Sequence, residues 1–326
     1  MRAILANLIV FLCVMPTYAQ NVNNDDPETK LIKLNDTTVL TFKRVSPKIY
    51  GIQYPDFFVL ETEVTNQQFK VYLDAKKLTK DDTDVLKVIR KRAKTRSFST
   101  ADIPYRIEDE STLWRKGAYP KGLQNHPVAL VTLHDATNFG NWLNEKNKTG
   151  TFRLPTWNEW MVTAYGKSRK YPWGDDWDHT RIHSSHGFKL SFSLDEKSNG
   201  KNPPYRTEAV KERKSGKTPE GIYGILGNVG EYIIAGDPTA DNYFNLGSRS
   251  MGGGFTDIVW STDDKLHPLP PRHDYWGYSH HSTARKCDLG FRLVLVLENN
   301  KTMLKHERLF EQRNKAWMME NAKSSK

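Results

Sequence analysis

The stretch Gly221-Ile-Tyr-Gly-Ile-Leu-Gly-Asn-Val-Gly-Glu-Tyr232 sets a carboxamide, Asn228, and a carboxylate, Glu231, among glycines and aliphatic side chains. A carboxylate in such surroundings is costly unless it is paired, hydrogen-bonded or bound to a metal. Glu231 therefore has to be explained first. Four glycines let the backbone take positive φ, and Ile222, Ile225, Leu226 and Val229 anchor it, so the stretch reads as a buried turn. A second group lies further on, where His267, His273, His280 and His281 precede Cys287. Imidazoles with one thiol could hold zinc, copper or iron, and His280 and His281 with Asp274 would make a nitrogen and oxygen set. The spacing matches no metal motif, and adjacent histidines in a strand point to opposite faces. Scattered loop histidines are the plainer reading. Cys287, His280 and His281 are the weak catalytic candidates.

The elements that must position these groups are short. Val39 to Lys43 and Phe57 to Leu60 have the β-branched and aromatic look of strands. Thr65, with Gln68 three residues on, opens a helix with Phe69, Tyr72 and Leu73 at helical spacing. Asp135 to Asn144 reads as a second amphipathic helix with Ala136, Phe139, Trp142 and Leu143 inward. Thr156 and Glu159 make a capping box at the start of a third. Glu159 is then a cap, and Arg153 a structural ion-pair or hydrogen-bond donor. Asp178 to Glu220 is polar and without periodicity, and Leu289 to Leu297 reads as a closing core strand.

Phe58-Val-Leu-Glu-Thr-Glu-Val-Thr-Asn66, His126-Pro-Val-Ala-Leu-Val131, Arg153-Leu-Pro-Thr-Trp-Asn-Glu-Trp160, Tyr171-Pro-Trp-Gly-Asp175, Gly227-Asn-Val-Gly-Glu231, Gly252-Gly-Gly-Phe255 and Leu289-Gly-Phe-Arg-Leu-Val294 follow one another in a set order. In that order the chain resembles the formylglycine-generating enzyme (sulfatase-modifying factor) family over residues 39–297. The resemblance implies a single irregular, loop-rich α+β domain related to the C-type lectin fold, often with bound calcium. In the enzymes that give the family its name, two cysteines shortly after the Gly-Gly motif hold copper and convert a substrate cysteine to formylglycine. Here Phe255 to Asp264 contains no cysteine, and Asp257 and Thr262 stand near the two positions. Soft sulfur selects Cu(I), so carboxylate and hydroxyl cannot replace it, and copper is not expected. For calcium the resemblance implies Gly227, Val229 and Glu231 as ligands, through backbone carbonyls and a carboxylate. A family asparagine three residues before Gly227 is replaced by Gly224, and the asparagine of a second site near Arg181 to Ser185 is also missing. A hydrogen-bonded, structural Glu231 is the alternative.

Of 326 residues 37% are hydrophobic, but 14 Phe, 14 Tyr and 9 Trp can build a core from few large side chains. The net charge of +10 is concentrated: nine Lys and Arg against three Asp from Lys76 to Arg96, and seven Lys and Arg against four Glu from Leu297 to Lys326. The first run reads as a basic insertion, 76–107, with a surface helix from Asp84 to Lys94; the second is a charged tail, 298–326. No nucleic-acid-binding motif accompanies either, so a nucleic-acid partner is not expected. Arg2, the apolar run Ala3 to Val14 and the small Ala19 form a secretory signal over 1–19, too short to span a bilayer permanently. Residues 20–38 are expected to be a mobile segment. Cys13 lacks the small preceding residue of a lipid-attachment box, so a lipoprotein is disfavoured. Signal cleavage leaves Cys287 alone, without a disulfide partner.

These readings converge on an exported domain, periplasmic or extracellular, that binds a protein, peptide or glycan and is not an oxidase. The alternative is a metal-dependent oxidase using the histidine-rich loop and Cys287, which leaves enzyme status open. An electrostatic scaffold centred on the basic insertion is a third.

Overall fold

A computed structural model describes residues 28–51, 55–84, 113–183, 207–234, 248–254, 278–280 and 285–297. The signal segment, residues 85–107 of the basic insertion, Asp257, Thr262, His267, His273, Asp274, His281 and the 298–326 tail lie outside the described residues.

Strands β1 (Thr29–Lys33), β2 (Val39–Val45), β3 (Phe57–Leu60), β4 (Gly150–Arg153) and β9 (Val294–Leu297) form an antiparallel sheet in the order β1-β2-β3-β9-β4. A second sheet, β7-β6-β5-β8, is built from β5 (Gly230–Ile233), β6 (Ser248–Met251), β7 (Tyr278–His280) and β8 (Leu289–Gly290), with β5 and β8 parallel. Among the described residues, helices α1 (Asn66–Lys76), α2 (Leu133–Lys146) and α3 (Trp157–Tyr165) pack on this framework. Among the described residues, no helix is long and apolar enough to cross a membrane.

The two-residue period of a strand divides the core. Along β3, Phe58 and Leu60 join a cluster with Phe69 and Tyr72 of α1 and Phe139 and Trp142 of α2. Phe57 and Val59 face the other way, toward Trp160 of α3 and Ile222, Ile225 and Leu226 of the glycine-rich turn. All four β3 residues are consequently buried, as a central strand covered on both faces requires. Phe139 shows how aromatic the first cluster is: its ring centroid lies 5.6–5.9 Å from those of Phe69, Tyr72, Trp142 and Phe291.

Each helix starts at a reciprocal cap. Thr65 with Gln68, Thr132 with Asp135 and Thr156 with Glu159 each exchange side-chain and backbone hydrogen bonds, satisfying donors that a helix N-terminus otherwise leaves open. The second helix thus begins before the Asp135 expected from periodicity, because Asp135 is the third residue of the box. At the far edge of the first sheet, the Asn144 side chain accepts from Phe152 N at 2.8 Å and donates to its carbonyl at 3.0 Å, closing the outer edge of β4.

One expectation is corrected. Thr29–Lys33, placed by composition in the mobile 20–38 segment, pairs along its whole length with β2, because Ile32 and Leu34 alternate into the first core cluster. Lys76, the first residue of the basic run, is the last of α1. Lys80 is buried; its ammonium is paired with Asp82, donates to the Leu130 carbonyl at 3.3 Å and lies 5.8 Å from the Trp114 ring centroid.

Candidate functional site

The glycine-rich turn runs between the two sheets, and its backbone is tied on several sides. Tyr223 N donates to Glu61 O, Gly227 N to Gly252 O, Asn228 N to His183 O and Gly230 N to Asp288 O, all within 2.7–3.0 Å. Gly224 and Gly227 have φ of 63° and 80°, and Asn228 shares this left-handed region at 60°. Asn is the non-glycine residue that tolerates it most readily.

Glu231 projects from β5 into a fully buried ion pair. Arg292 donates to both its oxygens at 2.6 Å, through Nε and Nη2, and Trp160 Nε1 donates to Oε2 at 3.2 Å. The same guanidinium also donates to Leu60 O at 3.1 Å and to Tyr223 O at 2.8 Å. One side chain thus joins β3, the turn and β5. Burial pushes the Glu231 carboxyl up, and Arg292 opposes that rise. Gly227, Val229 and Glu231 do share one turn, as expected, but the carboxylate has the hydrogen-bonded, structural role.

Glu63, between β3 and α1, is the group that sequence reasoning quoted in a motif and gave no role. It is fully buried; Oε1 accepts from Asn228 Nδ2 at 3.0 Å, and Oε2 has no hydrogen-bond partner among the described residues. Burial, with Glu231 adding to it against Arg292 and Asn228, pushes its carboxyl up to about 8. The only signal in the sequence is a glutamate set between Thr62 and Val64 in an otherwise buried run. An unfolded glutamate titrates at about 4.3. The contribution of Glu63 to stability is therefore complete below that value, declines as pH rises and is gone above about 8. Urea unfolding at a series of pH values should show this decline in the wild type and a shallower one in Glu63→Gln; equal slopes would contradict the assignment.

Asn228 is the clamp between segments. Besides holding Glu63, it accepts from Glu208 N at 2.9 Å and thereby fastens the polar 207–216 segment to the turn. That segment is further held by Glu208. Burial raises this carboxyl, but hydrogen bonds from His183 and Arg213 outweigh it and bring it down to about 2. The contacts are short, 2.9 Å to His183 Nδ1 and 2.5 Å in the ion pair with Arg213 Nη2. Arg153 and Glu159 have the structural roles read from the sequence, in a bidentate pair at 2.7 and 2.8 Å.

Of the catalytic candidates, Cys287 and His280 fall among the described residues. Cys287 packs against Leu113 and Leu130, and burial pushes its thiol far up, away from the thiolate that metal binding or nucleophilic attack needs. His280 lies in β7, two strands from β5. Tyr171, Trp173 and Trp177 form a stack with centroids 5.3–5.9 Å apart, and Trp173 and Trp177 are half-buried.

Neither implied metal fits the donors. A bis-thiolate copper site needs two cysteines, and the whole sequence has only Cys13 and Cys287. For calcium, the Glu231 oxygens already face the Arg292 guanidinium, and Gly224 itself brings no side-chain ligand, the side-chain oxygens beside it being those of Glu63. Among the described residues, no three His, Cys, Asp or Glu side chains are grouped to hold a metal.

The family model for the sulfatase-modifying factor enzyme 1-like domain matches residues 32–297. A formylglycine-generating enzyme from Streptomyces coelicolor is 30% identical over 141 residues, which cover 39% of this chain and 42% of that enzyme. The match thus spans less than half the length of that relative. Among solved structures, Treponema denticola variable protein 1 is similar at a TM-score of 0.50 and 17% identity, covering 82% of this chain and 99% of that one. CarF covers 75% of this chain and 88% of its own at 19% identity and a TM-score of 0.44. PvdO from Pseudomonas aeruginosa covers 86% and 91% at 15% identity and a TM-score of 0.47.

Proposed function

The chain belongs to the sulfatase-modifying factor enzyme 1-like family, and from that premise we propose that it is an exported member without oxidase chemistry, which binds a protein, peptide or glycan. The observation that carries this reading is the contrast between scaffold and reactive groups. Two buried pairs hold the turn and the third helix, Arg292 with Glu231 and Arg153 with Glu159. The thiol pair that would activate oxygen is missing from the sequence. A fold kept this completely without its reactive groups retains a use as a surface.

Trp173 and Trp177 support such a surface, because half-buried aromatics offer a broad apolar face at small conformational cost to a peptide or a sugar ring. The apolar run Ala3 to Val14 followed by Ala19 supports export.

Titration of the mature protein with Cu(I) in competition with a chelator tests the loss of the metal centre. The expected result is no stoichiometric tight site, and Cys287→Ser should behave as the wild type. Tight binding of one equivalent that Cys287→Ser abolishes would favour the metal-dependent alternative instead.

A further inference from the structure

In two places the chain sets a cation, a carboxylate and an aromatic ring together. The Lys80 ammonium pairs with Asp82 and lies 5.8 Å from the centroid of the Trp114 ring. That of Lys211 pairs with Glu61 at 2.6 Å and lies 5.7 Å from the Tyr223 ring centroid. The carboxylate balances the charge, and the negative face of the ring attracts it.

The Tyr171 to Trp177 hairpin holds two of these three parts. Tyr171 is buried, and the indoles of Trp173 and Trp177 are half-buried against it, with centroids 5.3–5.9 Å apart. The hairpin is closed by its own backbone, Tyr171 N donating to Gly174 O at 2.8 Å and Gly174 N to Tyr171 O at 3.1 Å. Trp173 Nε1 donates to Asp176 O at 2.9 Å, which fixes Asp176 beside the stack. A Cβ at Gly174 would meet nothing within 4 Å, so the turn borders open space. Asp175 accepts from the backbone N of Lys170 at 3.0 Å. Asp175 and Asp176 are exposed, and among the described residues neither is in an ion pair, whereas nearby Asp178 is paired with Arg181 at 2.9 Å. The sequence has 48 Lys and Arg against 38 Asp and Glu, yet none of the described cations lies over these indoles or pairs with these carboxylates.

We propose that this hairpin docks a cationic side chain of a partner peptide, arginine above all, laid over the indoles of Trp173 and Trp177 and paired with Asp175 or Asp176. The partner supplies the part that Lys80 and Lys211 supply within the chain. Arginine suits the site better than lysine, because a planar guanidinium stacks on a ring while its edge bonds a carboxylate. The hairpin is already ordered, so docking freezes little of it. This inference deepens the binding reading above and rests on it; unpaired carboxylates attract a cation and disfavour an anionic glycan.

The test is an NMR titration of the mature protein, observed at its tryptophan indole N–H groups, with the blocked peptide acetyl-Gly-Arg-Gly-Arg-Gly-amide. The signals missing from Trp173→Phe and from Trp177→Phe should shift saturably in the wild type. The same peptide with citrulline for arginine, similar in shape but uncharged, should bind more weakly by about 3-fold or more. Asp175→Asn combined with Asp176→Asn, both at exposed positions, should weaken binding by about as much while leaving the other indole signals in place, and added salt should weaken it too. Equal binding of the citrulline peptide, shifts confined to other tryptophans or no saturable shift would overturn the proposal. So would a neutral cello-oligosaccharide that moves these two signals where the arginine peptide does not. A tight Cu(I) site in the titration above would remove the reading beneath and leave the hairpin assignment standing; no arginine binding and no Cu(I) site would remove the hairpin assignment alone.

Discussion

Replacing Arg292 with leucine is expected to lower the unfolding free energy by about 3–5 kcal/mol, because it leaves Glu231 charged and unpaired in the core. The size follows from burial rather than from the short distance. Lys70 and Asp74 approach as closely, at 2.5 Å, but Asp74 is 61% exposed, and such surface pairs contribute little. The Arg292 and Glu231 side chains are 1% and 0% exposed, so neither can turn to water when its partner goes. Arg292 also satisfies the carbonyls of Leu60 and Tyr223, and its removal strands those as well. Lysine would not rescue the site, since a point charge cannot make the fork that spans both oxygens. Replacing both partners by apolar residues should recover much of the loss, because a buried pair exchanged for packed apolar groups is often near neutral. Whole domains are stable by about 5–15 kcal/mol, so the variants are best compared by urea unfolding in a stabilising osmolyte. Losses that add in the double variant would show that the two side chains act independently, against the geometry.

What the sequence revealed of this arrangement follows the range of each interaction. The caps at Thr65 and Thr156 are signalled within three residues and were legible with their partners. The inward set of α2, Ala136, Phe139, Trp142 and Leu143, was legible because burial recurs with the helical period. The pairing of Glu231 with Arg292 joins residues 61 positions apart, and no local pattern encodes it. The sequence posed the question of what satisfies Glu231, but could not name the answer. Glu63 and Asn228, 165 positions apart, were still less accessible. Lys80, in the run read as a basic insertion, is buried beside a carboxylate two residues away, which composition alone does not reveal. Strand β1 was hidden by the polar residues around it, since its anchors Ile32 and Leu34 sit in a stretch too short to outweigh them.

The proposed absence of oxidase chemistry from this member of the family rests on the missing cysteine pair. It is tested most directly by incubating the mature protein with a peptide containing Cys-x-Pro-x-Arg, copper, a reductant and oxygen, and following the peptide by mass spectrometry. A cysteine-paired family enzyme run in parallel confirms that the conditions support turnover. The two cysteines of that chemistry are missing from the sequence, and the thiol of Cys287 is packed against Leu113 and Leu130. The account predicts an unchanged peptide mass with folded protein, both for the wild type and for Cys287→Ser. Conversion of the peptide cysteine to the aldehyde by the wild type would contradict it, and its disappearance in Cys287→Ser would place the reactive centre at that thiol.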